Sequence, residues 1–339
     1  MPRARPYSAK TLLFRRVESR SARVKVLAII VNHKRPELVL QGLKSLALEL
    51  AAIGGGCRAI VTDASGDGSD ELIERGVREQ GFGDWVTLLR LDKNGGYGYA
   101  NNRAIQHALA GPDLPEFFYL LNPDAYVYPG AVRELLQCMQ ERPDVGLCGS
   151  QQEQPDGSIN RAAFRFPGVR SELIQGSRLG VLKRIFPDAE IAPPPPEQPA
   201  PIDWLSGASL LVRRSVLESV GLFDETFFLY YEETDLCLRA RRAGWLCWYV
   251  PASRVVHLEG QSTGVTDSKS APKRLPRYWF ESRQHYFMKN HGPWKKHLAD
   301  VAWTLGFVSW RALRRFQGKT DDDPPHLLSD FVRFNFLHG

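Results

Sequence analysis

Three carboxylates crowd one short stretch of this 339-residue chain, Glu232, Glu233 and Asp235. An aromatic approach, Phe227-Phe228-Leu229-Tyr230-Tyr231, leads into them, and Arg239, Arg241 and Arg242 follow before Gly244. Acidic residues in a first turn and cations in a last turn complement a helix macrodipole, so the pattern predicts a helix from about Glu232. On it Glu232 and Asp235 share a face and Glu233 points elsewhere. Carboxylates behind an aromatic wall suit a general base whose pKa is raised by partial desolvation. An amphipathic helix with a solvated basic end accounts for the same residues equally well.

Three further groups could do chemistry. In Asn122-Pro123-Asp124 a carboxylate stands just past an apolar run, a seat for Mg²⁺ or Mn²⁺, which take oxygen ligands and keep waters and substrate phosphates in their shell. A turn with Pro123 as its second residue reads the same letters differently. Asp63, in Thr62-Asp-Ala-Ser-Gly-Asp-Gly-Ser69, is placed either to meet a ligand or to make an Asx-turn. In Asn94-Gly-Gly-Tyr-Gly-Tyr-Ala-Asn-Asn102, glycines 95, 96 and 98 allow close backbone approach, and Asn101 and Asn102 offer amides. Neither phosphate-loop spacing, GxGxxG or GxxxxGK[ST], is present there.

These groups need strands to carry them. Val24–Val31 is a short β-branched run, as in a buried parallel strand, and Pro36 suits the first turn of a helix over 37–50. Arg58–Val61, Val86–Leu91 and Phe117–Leu121 read as further strands, with helices from Ser69, to about Ala110, and over 131–140. Strand, helix, strand at this spacing predicts right-handed parallel crossovers, with ligands at the carboxyl ends of the strands. Asp156-Gly157 marks a hairpin turn, and the prolines of 192–201 a semi-rigid loop. Asp203–Val212 returns to a strand, where Gly207 and Ala208 permit close substrate approach. Trp204 either stacks on a ligand or is simply buried.

Seven motifs in order carry a resemblance: Ile29-Ile-Val-Asn32, Thr62–Ser69, Asn94–Asn102, Leu121-Asn-Pro-Asp-Ala125, Ser206-Gly-Ala208, Gly221-Leu-Phe-Asp224 and Tyr231–Arg239. Together, over about residues 24 to 290, the chain resembles the family 2 glycosyltransferases, most closely the rhamnosyltransferase-like branch of bacterial surface-polysaccharide synthesis. The resemblance implies an α/β GT-A fold, a Rossmann-like nucleotide half and an acceptor half around one mostly parallel mixed sheet. It implies domains at 24–290 (nucleotide-sugar half 24–150, acceptor half 151–270), a basic arm at 1–23 and a C-terminal extension at 291–339. By resemblance the donor side comprises Val31, Asn32, Asp63, Asn94, Gly96, Asn102, Asn122 and Asp124, with Asp63 or its neighbour on the nucleobase and Asn94–Asn102 closing over the nucleoside. Asp124 and His257 stand at the positions that hold Mg²⁺ or Mn²⁺ and the diphosphate. Glu233 falls at the position of the family's base, and Glu232, Trp204, Gly207 and Ala208 lie on the acceptor side. The implied reaction is inverting transfer of a sugar, L-rhamnose from a dTDP donor as the first expectation, to a lipid-linked or glycan acceptor. Three positions depart from the family pattern: Thr62-Asp63 replaces Asp-Asn, Asn122 replaces the first metal-motif acid, and the base is Glu rather than Asp.

Composition bounds the rest. Five cysteines without a CxxC favour a reducing compartment, and no stretch or leader reads as a transmembrane span or secretory signal. The expected place is therefore cytoplasmic, at the inner face of the membrane if at any. The net charge of +6 gathers at the two ends, and no basic patch on a recognisable module supports nucleic-acid binding. Residues 297–316 read as an amphipathic helix whose Trp303, Phe307 and Trp310, beside Arg311, Arg314 and Arg315, either meet a membrane interface or dock on the domain. The tail after Lys319 is expected to be loosely ordered. The altered metal motif leaves a second function class, a non-catalytic nucleotide-binding scaffold recruited to a membrane.

Overall fold

The computed structural model describes residues 26–53, 57–258, 272–318 and 322–337. The basic arm 1–23, the glycines 54–56 and the stretch Glu259–Ser262 after His257 lie outside the described residues. Eleven strands are described: β1 Val26–Asn32, β2 Arg58–Asp63, β3 Val86–Arg90, β4 Phe117–Leu121, β5 Ala125–Val127, β6 Val145–Glu153, β7 Ala163–Phe164, β8 Ala200–Ile202, β9 Trp204–Leu205, β10 Ser209–Arg213 and β11 Leu246–His257. The α-helices are α1 Pro36–Ile53, α2 Ser69–Glu79, α3 Tyr97–Leu109, α4 Ala131–Glu141, α5 Val169–Ser177, α6 Gly180–Ile185, α7 Arg214–Val220, α8 Glu232–Arg242, α9 Arg277–Phe316 and α10 Leu327–Val332.

The main sheet runs β3-β2-β1-β4-β10-β6-β11-β5, with β8 added against β11. Its first four strands are all parallel, while β10 is antiparallel to both neighbours and β11 parallel to β6. Period-two alternation sorts β1 between two cores. Val26, Ala28 and Ile30 pack with Val39, Leu43 and Leu46 of α1, whereas Leu27 and Ile29 pack with Ala104 and Ile105 of α3. Because β1 is flanked by β2 on one side and β4 on the other, the crossovers diverge beside it. That leaves a crevice outside the carboxyl ends of β1 and β4, where open α/β sheets bind ligands.

Helix α9 begins earlier than its amphipathic pattern indicates and breaks at Gly292 (φ 79°), with Pro293 next. Trp303 and Phe307 turn inward onto Phe280, Leu327 and Phe331, and the Trp303 ring stacks on Phe331 at 3.9 Å between centroids. These two aromatics therefore dock on the domain, and the membrane alternative for them is overturned. The tail is also more ordered than expected: α10 supplies Phe331 to this cluster, and Asp323 pairs with Arg178 at 2.7 Å and Arg314 at 3.1 Å. Beneath it, fully buried Arg283 bonds Glu172 at 2.7 Å and Asp300 at 2.6 Å, and Lys296 lies 3.0 Å from Asp300. Two cations facing two carboxylates avoid the penalty of an unpaired buried charge and tie α5 to both halves of α9.

Candidate active site

A cleft of about 750 Å³ opens over the carboxyl ends of β1 and β4. Val31 and Asn32 line it from β1, Asn94 and Gly96 from the loop before α3, Asn122 and Asp124 from the loop after β4, and Glu232 and Glu233 from α8. His257 and Trp204 complete the set of sequence-predicted residues on its wall.

Glu233 is half-buried at the cleft floor, and its Oε1 accepts the backbone N–H of Gly207 at 3.1 Å. The same peptide unit's neighbour is fixed from the other side, because Tyr97 donates its hydroxyl to the Gly207 carbonyl at 3.1 Å. Burial raises the Glu233 carboxyl above its usual pKa, and backbone N–H bonds, Gly207's among them, pull the other way. Burial, then Glu233 and Glu232, push the Tyr97 phenol well up, so it remains a donor at neutral pH. A carboxylate with one oxygen held and the other toward a cleft can take a proton from a hydroxyl nucleophile.

Helix α8 starts where the sequence places it, but its faces differ. Glu232 and Glu233 both line the cleft, while Asp235 is buried on the far side, bonded to Arg239 at 2.8 Å, Lys289 at 2.9 Å and Asn290 at 2.9 Å. The helix is entered through a tight turn. Tyr230 and Tyr231 both sit in the left-handed region, at φ 71° and 70°, and turn the chain sharply before the first helical residue. Such backbone persists only when its surroundings hold it. Here Ser282 of α9 donates to the Leu229 carbonyl at 2.9 Å, and the Tyr231 ring packs on Tyr286 at 5.2 Å.

Glu232 is only 1% exposed, and its Oε2 has no hydrogen-bond partner. Burial first, and the Glu233 charge second, push its carboxyl well above the ordinary carboxylate range. Between the ordinary glutamate pKa of 4.5 and the raised value, the native state holds a proton that the unfolded chain has released. Stability therefore falls as pH rises through that window. Glu232→Gln removes the titration, so the variant should match the parent near pH 4 and melt increasingly above it as pH rises past neutrality. Melting curves across pH check this; a difference that does not change with pH contradicts it.

Asp124 is buried at the cleft wall, with His257 Nε2 3.5 Å from its Oδ1 and 3.4 Å from the Asn122 amide. On the other side of the ring, Gln152 Oε1 lies 3.1 Å from Nδ1. An amide oxygen there accepts a hydrogen bond from Nδ1–H and turns Nε2 toward Asp124, the usual second support of a metal-binding histidine. A carboxylate and an imidazole nitrogen fit a divalent cation that completes its shell with water and phosphate oxygens. Among the described residues no third His, Cys, Asp or Glu joins them.

Other predicted residues act from behind the wall. Asp63 is turned into the protein, accepting from Asn32 Nδ2 at 2.6 Å and from Ser65 Oγ at 2.7 Å, and its neighbours Thr62 and Ala64 line the cleft instead. Asn102 is buried and clamps α3 to the segment before α8, bonding the Phe223 carbonyl at 2.9 Å and its N–H at 3.0 Å. Gly207 and Ala208 form backbone beneath the floor, and Asn122 N–H donates to the Ala208 carbonyl at 3.1 Å. Trp204 faces the cleft but already stacks on Phe164, with centroids 4.3 Å apart, so only part of its ring is open to a ligand. Gly96 is required by its neighbour: at φ 92°, a Cβ there would meet the Phe228 carbonyl oxygen at 2.0 Å.

The cleft also holds residues that motif reading missed. Gln152, Tyr278 and Trp279 line it, beside Tyr97 from within the Asn94–Asn102 motif and Arg161 from the run 161–167, which the sequence places on the acceptor side. Tyr278 lies against Phe228 at 5.3 Å and Tyr230 at 6.1 Å, making an aromatic bank on the α8 side. Gln152, a buried polar residue next to the end of β6, is a signal that could have found one of them.

The sequence pattern of glycosyl transferase family 2 matches residues 28–186. An N-acetylglucosaminyl-diphospho-decaprenol L-rhamnosyltransferase of Mycobacterium tuberculosis is 36% identical over 234 residues, 65% of this chain and 72% of that protein. Rhamnosyltransferase WbbL of Escherichia coli is 29% identical over 166 residues, 48% of this chain and 60% of its own length. Among solved structures, the mannosyltransferase PcManGT from Pyrobaculum calidifontis, in complex with GDP-Man and Mn²⁺, superimposes with a TM-score of 0.53. That match covers 88% of this chain and 76% of the other at 16% identity, a likeness of fold.

Proposed function

The chain belongs to glycosyl transferase family 2, and on that premise we propose that it moves L-rhamnose from dTDP-rhamnose, with inversion, onto a lipid-linked saccharide of a cell-surface glycan. The observation that carries the chemistry is Glu233, held by the Gly207 N–H on the floor of the cleft that Asp124 and His257 also face. The relatives' names supply the sugar and the acceptor class: a rhamnosyl group, and a saccharide on a polyprenyl diphosphate. An acceptor of that kind places the reaction at a membrane surface.

The chain's own residues divide the work. Glu233 takes the proton of the acceptor hydroxyl as that oxygen attacks the anomeric carbon. A single base on the acceptor side suits direct displacement, in which the new bond forms opposite the leaving diphosphate. Tyr97, protonated and bonded to the Gly207 carbonyl, keeps the peptide that holds Glu233 in place. Asp124 and His257, the latter oriented by Gln152, would hold Mg²⁺ or Mn²⁺ on the donor diphosphate. Such a cation, when bound, would neutralise charge developing on the leaving group. Asn32, Thr62 and Ala64 form the nucleoside end, and the Phe228–Tyr230–Tyr278 bank forms the acceptor end.

Thermal stabilisation by dTDP, UDP and GDP, each with and without Mn²⁺ or Mg²⁺, tests this. Ligand at a hundredfold over its Kd adds about 2.7 kcal/mol to the native state. The expected result is metal-dependent stabilisation by dTDP that is lost in Asp124→Asn. Flat curves for all three nucleotides would favour the non-catalytic reading, and stabilisation by UDP or GDP alone would reassign the donor.

A further inference from the structure

Helix α9 has a second apolar face. Beyond the break at Gly292, Trp294, Leu298, Val301, Leu305, Val308 and Phe316 recur at helical spacing, on the side opposite Trp303 and Phe307. The stripe runs for about 33 Å at the rise of an α-helix. Trp294 is 82% exposed, Phe316 91%, and Leu298, Leu305 and Val308 are exposed as well. Scattered apolar side chains on a surface are ordinary; a continuous stripe this long marks a contact.

The charge beside the stripe has one sign. Lys295 and Arg315 are exposed along it. The one carboxylate between residues 293 and 318, Asp300, is fully buried against Arg283 and Lys296. A second copy laid stripe to stripe, in either direction, would set cations against cations, whereas helical seams use flanking charges of both signs. An anionic bilayer offers charge of the opposite sign and takes an apolar face at the depth of its headgroups. No helix among the described residues is long and apolar enough to cross a membrane, so the contact would lie on the surface.

We propose that the outer face of α9 docks on an anionic phospholipid bilayer. The same helix reaches the cleft through Tyr278, Trp279 and the Ser282 bond to Leu229, so docking would fix the acceptor bank relative to the lipid surface. The proposal rests on the proposed function only for why a membrane is useful to the site.

The test is flotation of the full-length protein with vesicles of phosphatidylcholine alone or mixed equally with phosphatidylglycerol, without donor or acceptor. The protein should float with the anionic vesicles and only weakly with the neutral ones. Lys295→Glu combined with Arg315→Glu should weaken binding by at least fivefold for each cation removed, at about 1 kcal/mol per cation. Trp294→Ser with Leu298→Ser and Leu305→Ser should abolish it at an unchanged melting temperature, because these side chains are exposed. If that variant melts early, the charge-reversed pair alone decides. Equal flotation with both vesicle types, or undiminished flotation of the charge-reversed variant, overturns the proposal. So does concentration-dependent dimerisation, lost in the Leu298→Ser/Leu305→Ser variant, with no flotation, which would give the stripe to a second copy. Transfer to a water-soluble acceptor by a variant that no longer floats would keep the two readings apart.

Discussion

Glu233→Gln is expected to lower turnover by about two to four orders of magnitude, the usual worth of a positioned base. Glutamine fills the same volume and can still meet the Gly207 N–H through its amide oxygen, which Glu233 Oε1 now does at 3.1 Å. What it cannot do is accept a proton. Donor affinity, read by calorimetry on the inactive variant, should therefore hold while kcat collapses. The parent should show an acid limb above the ordinary glutamate range, because burial disfavours the charged form of Glu233. Turnover close to the parent's would remove Glu233 from the base position.

Gly207→Ala should be nearly as damaging, without touching an ionisable group. A Cβ at this position would stand 2.3 Å from Glu233 Oε1 and 3.0 Å from the Tyr97 hydroxyl. The carboxylate is the end of a flexible side chain, so it should swing away rather than unfold the floor, and melting should change little. A displacement of about 1 Å from the productive position can lower the rate about a hundredfold. The displaced carboxylate also loses the Gly207 N–H, a contact that lowers its pKa, so the acid limb should move to higher pH. A parent-like kcat with an unmoved limb would mean that Gly207 does not position Glu233.

Much of this site is written locally. The β-branched run of β1 and the apolar Phe117–Leu121 are legible because buried parallel strands need no alternation. Asp124 is legible because it follows such a strand directly, and Gly96 as a place of close approach, though its partner Phe228 comes from a distant segment. Other features depend on contacts that no local pattern carries. Tyr230 and Tyr231 adopt left-handed backbone without the Gly or Asn that would announce it, and Asp235 is bonded to Lys289 and Asn290 of α9, a contact that helical periodicity does not carry. Asp63 and Asn102 look like ligand contacts because they are polar and sit beside glycines, yet their bonds to Asn32 and Phe223 spend them on the frame. Helix α9 is apolar on two faces, and periodicity alone could not say which one α10 covers.

One measurement bears most directly on the whole account: incubation of the protein with dTDP-L-rhamnose, Mn²⁺ and a polyprenyl-diphosphate-linked N-acetylglucosamine, reading both products. The account predicts one dTDP released per rhamnosylated lipid, with the anomeric configuration inverted relative to the donor. Retention of configuration would contradict the single-base displacement at Glu233. Donor that binds, with no transfer to any lipid-linked or soluble saccharide, would contradict transferase chemistry at this cleft.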